Sequence, residues 1–201
     1  MRSPSQAAFH SQHLFLTAKS QTAIPVADPI THDALRQAAL DPSVTAIEYV
    51  GNVFVGGENY FLDAIVVVRD GARYVLDIYD GKPVRSMDEE GLRLLAIDKT
   101  GCVPLPLPRG RILREPQCSN ARLIWEHHRH PVKMSVRARV LEALENGGAL
   151  SIRKLGVRRE DVFALACDAA IDIDLDGDPI DVASVRRSNR STSARLSPLV
   201  R

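Results

Sequence analysis

The sequence predicts an α/β protein: a mixed sheet flanked by helices, then a small unit of three helices and a hairpin. Three observations carry this. Between Asp63 and Lys82, two apolar runs, Ile65 to Val68 and Tyr74 to Leu76, flank Asp70-Gly71. Asp and Gly tolerate the positive φ angles of a two-residue hairpin loop. Near-continuous apolar runs mark strands buried on both faces, whereas half-exposed strands alternate. Helix punctuation surrounds the hairpin, at Thr31 before it and Ser86 after it. The last third differs: three short helical patterns precede the strictly alternating Ile171-Asp-Ile-Asp-Leu175.

Composition narrows the function classes. At 201 residues the chain is long enough for one large domain or two small ones. Hydrophobic content of 45% and charged content of 25% are those of a globular protein. Aromatics make up 5%, so Leu, Val, Ile and Ala must fill the core. A net charge of +1 excludes a uniformly basic surface, so any nucleic-acid contact must come from local patches. Cys102, Cys118 and Cys167 have neither disulfide nor zinc spacing, which favours a reducing compartment. No apolar run reaches membrane-span length, and the first residues lack the apolar core of a signal peptide. The expectation is a cytoplasmic protein without membrane contact.

In chain order, residues 1–29 are rich in Ser, Gln, Ala and His without a sustained period, and read as a flexible arm. Thr31 to Leu40 reads as a helix capped by Thr31 and ended by Asp41-Pro42. Val44 to Val50 reads as a strand, Gly51-Asn52 as its turn and Val53 to Val55 as its partner, with a further turn over Gly56 to Asn59. Ser86 and Glu89 form a capping box for a helix burying Leu92, Leu95 and Ala96. The prolines of Cys102 to Pro108 demand an edge strand. A helix follows from Ser119 or Asn120 through Trp125.

The last third carries helices capped at Ser135, at Ser151 and from Arg158 to Ala169. A hairpin then turns at Asp176-Gly177-Asp178 into Ile180 to Val182. That is the element order of a winged helix, bounded at 131–184, with 30–130 as the α/β domain and 185–201 as a basic flexible tail.

Asp63 and Asp77 stand at the outer ends of the two central strands. A hairpin that sets two carboxylates side by side is how metal-dependent nucleases hold Mg²⁺. The competing reading is a pair of strand-end acids bonding loop amides. Arg153, Lys154, Arg158 and Arg159 flank the start of the third helix in the last segment, where a winged helix meets phosphate and base edges. Arg186, Arg187 and Arg190 continue that cationic character, whereas the acids from Asp172 to Asp181 oppose it. The histidines at 127, 128 and 130 fit a cationic helix end better than a zinc site. Asp172, Asp174 and Asp176 match the first half of an EF-hand loop, but Ala183 stands where the bidentate glutamate is required.

The order of helix, strand hairpin, Leu62-Asp63, apolar hairpin, helix, the segment Ser119-Asn-Ala-Arg-Leu-Ile-Trp125 and winged helix resembles TnsA-type transposon endonucleases, over roughly Thr31 to Val182. The resemblance implies a restriction-endonuclease-like core of the PD-(D/E)xK class. It implies DNA as a partner, a DDE transposase and an AAA+ ATPase as further partners, and Mg²⁺ as cofactor of an active site. The family's metal-binding aspartate falls on Asp63 and its second ligand on Asp77. Its lysine falls on Tyr79, with Lys82 as a migrated substitute. Its helix glutamate falls near Thr31 or His32, where none is present. The expectation is a DNA-binding or complex-assembling subunit, with a homodimer among its assemblies, whose nuclease site is weakened or lost. The alternatives are an active Mg²⁺-dependent endonuclease cutting at mobile-element ends, and a winged-helix transcriptional regulator.

Overall fold

The protein is described from a computed structural model, over residues 13–26, 28–80 and 86–188. The expected flexible arm is instead, over its described part, an antiparallel pair of β1 (His13–Phe15) and β2 (Ile24–Val26). Phe15, Ile24 and Val26 are buried in the main core, which holds this pair in place. Helix α1 (Pro29–Leu40) begins earlier than expected, because Asp28 caps it and accepts from the Thr31 N–H at 2.9 Å. Proline at the first helical position loses no hydrogen bond there.

The central sheet comprises β3 (Val44–Val55), β4 (Glu58–Arg69), β5 (Ala72–Tyr79) and β6 (Val103–Pro108), in that spatial order. Strand β3 does not turn at Gly51-Asn52. It runs straight through, and the turn falls at Gly56-Gly57, with φ of 61° and 94°. Asp70-Gly71 turns β4 into β5 as expected, with φ of 51° and 77°. Helix α2 (Met87–Lys99) carries the predicted capping box and leads into β6, which pairs with β5 in parallel at the sheet's edge. Pro104, Pro106 and Pro108 alternate along β6, leaving Val103, Leu105 and Leu107 to donate N–H groups.

A short α3 (Arg109–Ile112) and α4 (Gln117–Trp125) connect to the last third. There α5 (Met134–Gly147, with Lys133 rather than Ser135 at its cap), β7 (Leu150–Ser151), a 3₁₀ turn at Ile152–Leu155 and α6 (Arg159–Cys167) precede β8 (Ile171–Ile173). Ile180–Val182 is a 3₁₀ turn rather than the returning strand, and β9 (Ser184–Arg187) returns instead. The three strands form an antiparallel sheet of order β7-β9-β8. Arg186 and Arg187 therefore belong to a strand and not to a flexible tail.

One core joins what the sequence divides at residue 130. Leu35 and Ile47 share it with Ile124, Val140, Phe163, Leu165 and Val185. A smaller cluster of Ala64, Val66, Val75, Ile97 and Cys102 lies on the sheet's other face, under α2. That helix buries Ala96 as expected, but leaves Leu92 and Leu95 48% and 54% exposed and buries Ile97 in their place. Among the described residues, no helix is long and apolar enough to cross a membrane.

Asp33 on α1 is 2% exposed and receives a two-pronged Arg122 guanidinium from α4, with Nε at 2.9 Å, besides Arg36 at 2.8 Å. The Arg122 bond, against the opposing effect of burial, holds the Asp33 carboxyl below the usual carboxylate range. Arg122→Ala should cost about 1–3 kcal/mol in urea unfolding, because it leaves the buried Asp33 carboxylate with Arg36 alone. A folded-state pKa below the unfolded value stabilises the fold above pH of about 3.9 and loses that contribution as pH falls through the lowered value. Acid unfolding of Arg122→Ala should therefore begin at higher pH than that of the parent.

Candidate functional site

Asp63 sits at a bulge. Val50 pairs with Ala64 and Asn52 with Phe61, so Leu62 and Asp63 together stand opposite Gly51. The extra residue takes φ of 46°, a left-handed conformation that costs a β-branched residue more than it costs Asp. The Tyr49 hydroxyl donates to the Asp63 carboxylate at 2.8 Å. Burial first, and then the Asp63 carboxylate, push the Tyr49 phenol up to about 12.

Asp77 has a different neighbourhood. Arg93 on α2 donates to it at 2.9 Å, with both side chains largely buried. Asp77 lies two residues from Val75, which packs on Ile97 beneath α2, so the strand's alternation and the Arg93 contact agree on that face. Tyr49 packs against the core on the opposite face, with Ile47, Ile65 and Val67. The hairpin thus directs the two carboxylates to opposite faces of the sheet. This corrects the side-by-side arrangement expected for Asp63 and Asp77, because matching strand ends do not ensure matching parity. The pair as placed does not fit a shared Mg²⁺. Among the described residues, no group of three or more His, Cys, Asp or Glu side chains is gathered to hold a metal ion. Asp80 is held by Arg109 at 3.1 Å. Lys82 lies outside the described residues, as does Arg190.

A cleft of about 660 Å³ opens between the sheet and the last third. Leu76, Leu105, Leu107, Arg111, Asp172 and Arg186 are among its lining, and neither Asp63 nor Asp77 is.

The expected DNA-contacting residues divide into two groups. Arg158 is committed to Asp161, donating from Nε at 3.1 Å and Nη2 at 3.2 Å, and His130 reaches the same carboxylate at 3.0 Å. The Arg158 bond, opposed by burial and aided by His130, holds Asp161 below the usual carboxylate range. Arg159 lies over the Phe163 ring and 3.6 Å from Asp181. Arg187 pairs with Glu145 at 2.7 Å, and Arg186 stands opposite Asp172 in the sheet. Arg153 reaches Asp181 only at 4.0 Å, and exposed Lys154 has no ion pair among the described residues. Helix α6 itself is enclosed: Val162 to Cys167 are each at most 5% exposed. It cannot enter a DNA groove as the expected third helix would, and only its first turn reaches the surface.

Sequence reasoning missed Tyr49, Arg93 and the buried carboxylates Asp33 and Asp161. The Arg158–Asp161 spacing of three was a readable helix-pair signal. The Arg122–Asp33 contact, 89 residues apart, had none. No protein-family model matches the chain, and no curated protein matches it significantly.

The two arginines before α6 should separate on substitution. Arg158→Ala leaves buried Asp161 with His130 alone and should lower stability by about 1–3 kcal/mol. Arg159→Ala should stay within about 1 kcal/mol, as for an exposed side chain with a ring contact. Thermal melts of the two variants check this ordering.

Proposed function

We propose that this protein is a DNA-associated assembly subunit, similar in layout to a transposon endonuclease and without its cleaving site. The observation that carries the reading is the placement of Asp63 and Asp77 on opposite faces, bonded to Tyr49 and Arg93. The element order behind the resemblance also supports it. A helix, strands meeting in hairpins, a second helix and a final unit of helices and hairpin follow one another as that layout requires. The final unit, with its sheet of order β7-β9-β8, is read as a winged helix.

The winged-helix reading needs one modification. With α6 enclosed, base edges are out of its reach, and contact passes to phosphates through Arg153 and Lys154 on the exposed 3₁₀ turn. Such contact positions a protein on DNA without choosing a sequence. This favours an assembly role beside a DDE transposase and an AAA+ ATPase over a promoter-reading regulator.

Two measurements test the reading. Supercoiled plasmid should remain uncut in Mg²⁺ or Mn²⁺; nicking that Asp63→Ala abolishes would restore the endonuclease reading. Binding to unrelated duplexes should be of similar strength and fall with salt. The Arg153→Ala, Lys154→Ala double variant should reduce the salt slope by about 0.9 for each phosphate it no longer neutralises. An unchanged slope removes the DNA contact from this turn.

A further inference from the structure

The central sheet treats its two edges in opposite ways. On β6, three alternating prolines remove the N–H groups a further strand would need. On β3, Val50-Gly-Asn-Val-Phe-Val55 carries neither charge nor proline. Among the described residues, the backbone bonds from β3 to anything beyond β4 are those of the Val44 N–H to the Asp41 carbonyl, at 3.1 Å, and of the Ile47 N–H to the Lys19 carbonyl, at 2.8 Å. Nothing among the described residues bonds the outer backbone edge from Glu48 to Val55, and Glu48 itself is held by Arg73 at 2.6 Å. Exposed edges are ordinarily blunted by charge, proline or a covering segment.

The side chains along this edge are apolar. Phe54 and Phe61 are 69% and 65% exposed. Phe61 stands opposite Asn52, and alternation places Val50, Asn52 and Phe54 on the face that α2 covers. Val50 and Leu62 are only half-buried, at the margin of the small cluster beneath α2. None of that cluster's five buried members comes from β3.

We propose that β3 is a self-association edge: two copies of this chain pair their β3 strands antiparallel across a two-fold axis near Asn52. The pairing is reciprocal. It sets Phe54 of each copy against Val50 of the other, at the margin of the cluster beneath α2. No charge on Val50–Val55 opposes its own image. Backbone pairing over so few residues falls short of the roughly 1,200 Å² that stable interfaces bury, so the aromatic side chains must supply the remainder. A charged peptide strand would gain the backbone bonds without the reciprocal filling.

The test uses the full chain in sedimentation velocity over a concentration series. The parent should dimerise. Phe54→Glu and Asn52→Lys should each yield monomers, with melting temperatures within a few degrees of the parent's monomer. Should Phe54→Glu fail to fold, Asn52→Lys gives the same reading from a side chain exposed at the strand surface. A parent that stays monomeric throughout the series overturns the proposal. So does a dimer that survives Asn52→Lys. Hydrogen exchange supplies the location: protection rising with concentration over Tyr49–Val55 supports the pairing, and protection rising only on α2 or β6 overturns it.

Discussion

Helix α4 is the constraint on which the arrangement depends. Arg122 fixes it to α1 through Asp33. Asn120, buried, donates to the carbonyls of Leu175 at 2.9 Å and Gly177 at 2.8 Å, so the loop after β8 is fixed to the same helix. Trp125 stacks on Phe15 of β1 and on His128. The Cys167 thiol at the end of α6 reaches the Ile124 carbonyl at 3.5 Å. This one short helix is therefore tied to α1, β1, α6 and the loop after β8. Its hydrogen bonds satisfy polar groups that burial would otherwise penalise. The first and last portions share one core because α4 stands between them and is bound to both.

Local chemistry was legible where local chemistry decided the outcome. The Asp70-Gly71 turn, the Ser86–Glu89 capping box and the proline edge strand each depend on residues a few positions apart, and each is present. Gly51-Asn52 shows the opposite case. It carries a strong turn signal, but Gly56-Gly57 offers two positive φ angles and lets β3 and β4 pair along ten partner positions. The longer ladder prevails over the local preference. Strands β1 and β2 are three residues each, too short for alternation to register, and tertiary burial of Phe15, Ile24 and Val26 maintains them. Val162, Leu165 and Ala166 by their spacing alone would make α6 an amphipathic helix. Phe163, Ala164 and Cys167 are buried as well, and an all-round apolar helix belongs in a core.

The candidate site was legible as residues and not as geometry. Asp63 and Asp77 do occupy neighbouring strands, as the hairpin requires. Whether two such residues share a face depends on parity along each strand and on any bulge between them. The bulge at Leu62-Asp63 is invisible in composition, and the basic partner that draws Asp77 toward α2 lies sixteen residues away. The same applies to the cations. Sequence counts arginines, whereas the fold divides them between buried carboxylates and solvent. Arg158 and Arg122 are committed to Asp161 and Asp33, and Lys154 is left to the surface.

The bulge also links the site to the sheet's open edge. A left-handed Asp63 carries strain of order 1–3 kcal/mol unless its surroundings fix it, and the Tyr49 hydrogen bond is one such fixture. The bulge falls where the sheet leaves its cover. On the turn side of it, β3 and β4 continue as a two-stranded ribbon from Asn52 and Phe61 to Gly56-Gly57, since β5 pairs only with the other end of β4. Bulges bend and twist the strand that carries them. Two-stranded ribbons alone are marginal in water. A ribbon displaying Phe54 and Phe61 therefore receives less support from the rest of the sheet than the β4 end that β5 pairs with. The left-handed conformation of Asp63 and its tyrosine partner set the direction in which the ribbon leaves the sheet.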